Sequence, residues 1–232
     1  MKKTLIAAAL MVCAGSAFAD PTAVLQVQGK LTNASCTPEL SNGGVVDYGY
    51  IHLSALSSTD TNQLQNTNID LIINCTAQTK VAWSTMDDRA GTIPSPGLAV
   101  RTKAGSTGTE VGSTYWLFGL GTTTNNVKIG NYIIDAGFKD NAPASIIADG
   151  NEVITIYRNS DWGDSSWSLT SSLRSDGYTH MSIANPGTLE PIAFSSVTIP
   201  LIIRTSIADT STLAITDDTP IDGQATITLQ YL

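Results

Sequence analysis

Basic residues and histidines are scarce in this chain, and each shortage excludes a class of function. The 232 residues contain 12 Lys and Arg against 20 Asp and Glu, which gives a formal net charge of −8. A chain of this charge repels the phosphate backbone of nucleic acids, so we expect no nucleic-acid partner. The histidines are His52 and His180 alone, and no serine has the glycine spacing of a nucleophile elbow. We therefore expect no enzyme and assign no catalytic residue.

Ligand clusters for metals and cofactors are lacking as well. Asp87 with Asp88, and Asp161 with Asp164, do not have the regular oxygen-ligand spacing of a calcium loop. We interpret these carboxylates as solvated loop residues. The sequence thus predicts neither a metal site nor a cofactor.

Long apolar runs are few, and the one near the N-terminus is typical of a signal peptide. Lys2 and Lys3 precede the apolar stretch Leu5–Ala14, which is shorter than the roughly 20 residues that span a bilayer. The A-x-A pattern of Ala17–Ala19 fits the narrow pockets of signal peptidase, so we expect cleavage before Asp20. After cleavage we expect no membrane anchor, because no other apolar run is long enough.

Cysteine is nearly absent, and removal of the leader with Cys13 leaves a single pair. The remaining 213 of the 232 residues contain Cys36 and Cys75 and are expected in an oxidising compartment. There, two thiols form a structural disulfide rather than a redox or metal site. On the chain-entropy model, closing a loop of about 40 residues stabilises the fold by about 4 kcal/mol.

What the sequence does have is alternation of apolar and polar residues with period two. It runs through Leu25–Leu31, Ile69–Cys75 and Ala225–Tyr231, and Val197–Ile203 is a β-branched run. No window keeps a 3.6-residue period, and turn-rich stretches separate the runs. The pattern predicts an all-β chain, built as a sandwich.

The middle of the chain is less regular. Short strands are expected at Ser113–Gly119, Val127–Ile134 and Val153–Arg158, separated by Gly, Ser, Asn and Asp. No internal repeat or linker marks a boundary. We therefore expect one domain, with a long insertion at about residues 90–182.

Four local sequence patterns follow one another in a fixed order behind the leader. The first is Val27-Gln28-Gly29-Lys30-Leu31 with Asn33-Ala34-Ser35-Cys36, and the second is Val46-Asp47-Tyr48-Gly49. The third is Asn74-Cys75, and the fourth is Thr198-Ile199-Pro200-Leu201 with a terminal strand that ends near Tyr231. With these segments the chain resembles the chaperone–usher fimbrial subunits of Gram-negative bacteria.

A closer resemblance is to the GltF-like family of enterobacterial pilin-like periplasmic proteins. It rests on Cys36-Thr37-Pro38, Gly43-Gly44-Val45-Val46-Asp47-Tyr48-Gly49, Phe118-Gly119-Leu120-Gly121 and Gln230-Tyr231-Leu232. This likeness covers nearly the whole mature chain. It also accounts for a chain longer than an ordinary shaft pilin, with the excess in the middle.

The resemblance implies an incomplete immunoglobulin-like (pilin-type) sandwich that lacks its last strand. Residues 1–19 would be the signal peptide, residues 20–34 a donor-strand segment, and residues 35–232 the sandwich. A donor strand satisfies the open edge by main-chain hydrogen bonds and places alternate side chains in the groove. Here those donor residues would be Leu25, Val27, Gly29 and Leu31, with the glycine at a constriction. The accepting and chaperone-facing residues would be Ala225, Ile227, Leu229, Tyr231 and Leu232, the last of which carries the terminal carboxylate.

The function implied is that of a structural subunit or minor adaptor of a fimbrium, assembled by donor-strand exchange and serving adhesion. Its partners would be a periplasmic pilus chaperone, an outer-membrane usher and neighbouring subunits. Its location would be the periplasm and then the cell-surface fimbrium.

Two alternatives stay open. Both terminal segments could be ordinary strands of one complete sandwich. The chain could also be a non-polymerising periplasmic binding protein that contacts a glycan through the central insertion, at Trp162, Trp167 and Tyr178, since aromatic faces beside carboxylates and hydroxyls suit sugars.

Overall fold

A computed structural model describes residues 34–100, 114–160, 166–170, 172–216 and 218–232. These residues belong to one compact unit, Ala34–Leu232. None of the helices in these ranges is long and apolar enough to cross a membrane.

The described ranges contain fourteen strands, one short helix and four 3-10 turns. The strands are β1 (Cys36–Leu40), β2 (Asn62–Gln63), β3 (Thr67–Thr79), β4 (Val81–Asp87), β5 (Phe118–Gly119), β6 (Gly130–Ala136), β7 (Phe138–Lys139), β8 (Ala142–Pro143), β9 (Ile146–Ala148), β10 (Asn151–Asn159), β11 (Ser168–Leu169), β12 (Thr179–Ala184), β13 (Phe194–Ile207) and β14 (Ala225–Tyr231). The helix is α1 (Thr210–Leu213), and the 3-10 turns are Ser41–Gly44, Leu53–Ala55, Ala90–Thr92 and Thr114–Trp116.

Twelve of the strands form one nearly closed antiparallel sheet, and this confirms the predicted all-β fold. In its first half the long strand β13 pairs with β3 on one side and with β6 and β9 on the other, while β1 pairs with the outer edge of β3. In its second half the order is β10, β12, β4 and β14. Strand β9 also pairs with β10 and so joins the two halves.

The two halves enclose one hydrophobic core. Alternate residues of β3 and β13, such as Leu71 and Ile199, are fully buried and lie opposite each other in the register. Trp83 on β4 and Ile183 on β12 meet them from the second half, also fully buried. Period-two burial of β-branched and aromatic residues is what stabilises such a pair of layers.

The sheet has two open ends, β1 and β14, which are the first and last strands of the strand order. Within the described part of the chain, each pairs with a neighbouring strand on one side only. An unpaired edge carries a row of backbone donors and acceptors that attract another strand.

The start of the predicted insertion covers the outer face of the first half. The fully buried Asn131 on β6 accepts a hydrogen bond from Leu98 N (2.7 Å) and donates one to Leu98 O (3.1 Å). Val100, Leu117 and Ile133 form a second small hydrophobic core. This part of the insertion therefore lies on the side of β6 that faces away from the main core.

Candidate functional site

An apolar groove opens beside the last strand, between the two ends of the sheet. Its volume is about 820 Å³. Most of its wall is formed by aliphatic and aromatic side chains from the first half of the sheet, from β14 and from the segments before β2 and β14: Leu40, Val46, Ile51, Leu56, Ile69, Leu120, Ile129, Tyr132, Ile134, Leu201, Ile203, Ile207, Leu213, Ile215, Ile221, Ala225 and Ile227.

The edges of the groove are β1 and β14. Leu40 lines it from β1, and Ala225 and Ile227 line it from β14. The inward side chains of β14 pack against the core but are only partly buried, whereas the side chain of Trp83 on the neighbouring strand β4 is fully buried. An edge strand with a half-covered apolar face is the surface that a further strand would complete.

A hydrogen bond joins the two edge strands where β1 begins and β14 ends. The Tyr231 hydroxyl accepts a hydrogen bond from Cys36 N at 2.9 Å, so the tyrosine side chain bridges the gap. Beside it, Leu232 N donates to Lys80 O (3.1 Å). Because β1 starts and β14 ends at this contact, the two edges run in opposite directions.

The disulfide Cys36–Cys75 fixes the first of these edges and confirms the predicted pairing. The two cysteines are directly opposite each other in the β1–β3 register. Strand β1 has only five residues and one paired neighbour among the described strands, so few hydrogen bonds hold it. The disulfide therefore adds a covalent link that holds the strand in place.

A turn built from Val46-Asp47-Tyr48-Gly49 lies along the groove. Gly49 has a left-handed φ of 60°, which glycine adopts without steric cost, and its N–H donates to Asp47 Oδ1 at 2.8 Å. The Tyr48 hydroxyl donates to Thr205 Oγ1 at 2.9 Å and ties the turn to β13. The next residue, Tyr50, is 93% exposed.

The first residue of β14 lies beside a buried carboxylate, because Ala225 pairs with Asp87 of β4. Asp87 ends β4 and accepts hydrogen bonds from Gly119 N (2.8 Å) and Arg89 N (2.9 Å). Burial raises the pKa of Asp87, against the effect of those two hydrogen bonds. Burial likewise raises the pKa of Tyr132, with smaller contributions from the charges of Asp87 and Asp88, so this groove-lining phenol is neutral at physiological pH.

The predicted acceptor residues do not all have the same position. Ala225 and Ile227 line the groove, whereas Leu229 packs against the core opposite Trp83. Tyr231 and Leu232 do not line the groove; they lie where β14 ends beside β1, 52% and 43% exposed. The predicted cleavage site Ala19/Asp20, Trp162 and the donor residues Leu25, Val27, Gly29 and Leu31 lie outside the described residues.

Several groove residues are missed by the sequence patterns. Tyr132 and Ile134 belong to β6, which is buried on both faces and so shows no alternation. Ile215 and Ile221 flank a turn-rich stretch just before β14. The sequence feature that could have predicted them is a pair of isolated aliphatic residues on either side of such a turn.

The remaining predicted aromatic residues contact different arginines. The guanidinium of Arg158 lies 5.0 Å from the ring of Trp167, and that of Arg174 lies 4.8 Å from the ring of Tyr178. In the ranges that the structure covers, no three His, Cys, Asp or Glu residues are grouped so as to hold a metal ion.

Comparison with known proteins gives relatives along nearly the whole chain. A family model described as "Protein of unknown function (DUF1120)" matches residues 25–133. Protein GltF of Escherichia coli strain K12 is 35% identical over 98% of this chain and 96% of its own length. The uncharacterized protein YhcF of the same strain is 29% identical over 96% of this chain and 98% of its own length.

Proposed function

We propose, on the premise that this chain belongs to the GltF family, that it is an exported structural subunit or minor adaptor of a chaperone–usher fimbrium that accepts a β-strand from a neighbouring subunit. The observation that carries the proposal is the apolar groove beside the half-covered strand β14. A strand inserted there would hydrogen-bond the open edge and place every second side chain among the groove-lining residues.

The dimensions of the donor segment and of the edge agree. The seven residues of β14 present an edge of roughly 23 Å at the usual rise per residue. The segment Leu25–Leu31 also has seven residues, four of them on its apolar face. Burying its three large side chains contributes roughly 5 to 9 kcal/mol before ordering costs.

The directions of the two edges constrain the inserted strand. Because β1 and β14 run in opposite directions, any strand between them is parallel to one and antiparallel to the other. The inserted strand can hydrogen-bond to either edge in both of its orientations. Its register is therefore selected by the fit of its apolar side chains to the groove rather than by its backbone hydrogen bonds.

In the proposed assembly pathway, two different partners bind in the groove one after the other. A periplasmic chaperone would fill it first and bind the terminal carboxylate of Leu232, and a neighbouring subunit delivered to the outer-membrane usher would then replace the chaperone. The chain would thus pass from the periplasm to a cell-surface fimbrium that serves adhesion.

The test adds a synthetic peptide of residues Asp20–Thr32 to the purified mature chain and follows thermal unfolding. At a peptide concentration of about 100 times Kd we expect stabilisation by about 2.7 kcal/mol, which raises Tm by about 5 to 10 °C for a domain of this size. A peptide with Leu25→Asp and Leu31→Asp should give no rise, because the charges cannot enter the apolar groove.

Two neighbouring residues of β14 provide the matched controls. Ile227→Asp places a charge in the groove and should abolish the response to the native peptide. Thr228→Asp lies on the exposed face of the same strand and should leave the response intact. An unchanged Tm of the native chain with the native peptide would contradict the proposal and favour a complete, self-contained sandwich.

A further inference from the structure

The groove carries negative charge that no cation balances. Its described lining includes two exposed carboxylates, Asp47 and Asp218, and no lysine, arginine or histidine. Neither carboxylate belongs to an ion pair in the ranges that the structure describes. Asp222, in the same segment as Asp218, is by contrast paired with Arg89 at 3.0 Å, so the charge of that arginine is already balanced. A cation at the rim of the groove would therefore find two carboxylates to pair with.

The two segments that carry these carboxylates pack at the same part of the groove. The turn that carries Asp47 is tied to Thr205 by a side-chain hydrogen bond of 2.9 Å, and Thr205 lies opposite Tyr132 in the β13–β6 register. The segment that carries Asp218 approaches the same tyrosine, because a Cβ on Gly223 would lie 3.0 Å from the Tyr132 ring. The two acidic segments therefore converge on Tyr132.

Tyr132 itself favours a peptide as the occupant. It lines the groove and is 7% exposed, and its hydroxyl makes no hydrogen bond in the described part of the chain. A buried hydroxyl without a partner costs free energy, so an occupant that supplies an acceptor binds better there than a pure hydrocarbon. The main-chain carbonyl groups of an inserted strand are such acceptors.

The proposed donor segment carries one positive charge. Lys30 is the only charged residue between Pro21 and Ala34. It lies on the polar face of the segment, between Gly29 and Leu31 of the apolar face. When the apolar face fills the groove, Lys30 faces the rim, and its long, apolar stem lets the ammonium group extend towards charges there.

We propose that Asp47 and Asp218 select the inserted strand by its charge: they bind Lys30 of a neighbouring copy and disfavour strands that are neutral or acidic at that position. The selection presupposes the proposed strand-accepting function and adds charge to the apolar fit that the groove recognises. Exposed charge pairs add little affinity, but a like charge in the same place is repelled, so such pairs act mainly on specificity. The preferred donor is thus a second copy of this chain.

The test compares three synthetic peptides of residues 20–32 by isothermal titration calorimetry on the purified mature chain: the native sequence, Lys30→Gln and Lys30→Glu. At about 50 mM NaCl we expect Lys30→Gln to weaken binding about threefold and Lys30→Glu at least tenfold. At about 500 mM NaCl the tenfold difference should fall below about threefold, because salt screens exposed charges. A difference caused by apolar fit would not shrink with salt.

Variants of the rim test the two carboxylates directly. Asp47→Asn combined with Asp218→Asn should bind the three peptides within about twofold of one another, and the first substitution keeps the oxygen that accepts from Gly49 N. Glu190→Gln removes an exposed carboxylate outside the groove lining and should leave the discrimination intact. Equal binding of the native and Lys30→Glu peptides by the native chain, or unchanged discrimination in the double variant, would overturn the charge selection alone. Absence of binding by all three peptides would overturn the strand-accepting function together with it.

Discussion

At the scale of single residues, the most demanding interaction is a buried ion pair. Arg204 on β13 and Asp135 on β6 are ion-paired with side-chain exposures of only 2% and 8%. Ser172 Oγ donates to Asp135 Oδ1 at 2.5 Å, and the Arg204 guanidinium lies 5.9 Å from the Phe138 ring. Both charges thus lie on the outer face of the first half of the sheet, beneath later segments of the chain.

We expect Asp135→Ala to lower the free energy of unfolding by about 3 to 5 kcal/mol, because it leaves a buried guanidinium without its partner. The measurement is urea-induced unfolding. A double variant, Asp135→Ala with Arg204→Met, should recover most of the loss, since no unpaired charge then remains. Equal stability of the single variant and the native chain would show that water reaches the pair.

From the surroundings of His180 we expect the stability of the fold to depend on pH. Burial, and then the charge of Arg158, lowers the pKa of His180, and its Nδ1 is buried without a hydrogen-bond partner among the described residues. The folded chain therefore favours neutral imidazole. Stability from this source is complete above the ordinary pKa of about 6.5 and is lost as the pH falls below it.

We expect the native Tm to drop between pH 7.5 and pH 5.5, and the drop to be smaller in His180→Gln, which cannot be protonated. Differential scanning calorimetry at both pH values measures it. His52→Gln is the control and should keep the native drop. An identical pH dependence in the His180→Gln variant would assign the effect to the carboxylates.

At the scale of elements, sequence patterns locate the strands that have one buried face. Period-two alternation at residues 225–231 coincides with β14, and the predictions around residues 69–75 and 197–203 fall inside the longer strands β3 and β13. Strand β12 is buried along almost its whole length, and β4 buries the polar Thr85 and Asp87 while it exposes Met86, so neither strand shows an alternation of apolar and polar residues. The expected strand Ser113–Gly119 is wrong for most of its length: Thr114–Trp116 is a 3-10 turn, and only Phe118–Gly119 is a strand.

The sequence patterns predict only part of the groove lining, because they detect only strands that have one buried face. Its β14 wall follows from alternation, but its floor comes from β6 and β13, and its volume is set by the distance between two edges that the sequence does not encode locally. The pattern predicts which side chains face inward. It does not predict how far apart the facing walls lie.

The motif Phe118–Gly121 has a steric explanation that yields a prediction. A Cβ on Gly119 would lie 2.3 Å from both Arg89 O and Thr92 Oγ1, so the backbone of residue 89 would have to move. We expect Gly119→Ala to lower the free energy of unfolding by about 1 to 3 kcal/mol. It should also weaken binding of the Asp20–Thr32 peptide, because Gly119 N donates to Asp87, and Asp87 pairs with the groove-lining Ala225.

Gly91 is the matched control for this substitution. A Cβ built there meets nothing within 4 Å, so Gly91→Ala should change neither stability nor peptide binding. Chemical denaturation and peptide titration measure the two effects. Equal effects of the two substitutions would contradict the steric account.

At the scale of the whole molecule, the proposed cleavage before Asp20 has two consequences. On the proposed function, it would release the chain from the membrane and free the segment Thr22–Thr32 for donation to a neighbour. We expect Ala19→Leu, which is too bulky for signal peptidase, to block both release and assembly. Cell fractionation and electrophoresis of unheated samples measure them, and polymer formation by the uncleaved chain would contradict this view of the leader.

The most direct test of strand exchange is photocrosslinking between differently labelled copies. A photoreactive residue replaces Val27 in ¹⁵N-labelled mature chain, which is mixed with an unlabelled native chain, irradiated and analysed by mass spectrometry. We predict crosslinks that join labelled residue 27 to unlabelled peptides of β14 or of the groove wall. Crosslinks confined to peptides of the same label would contradict strand exchange between copies.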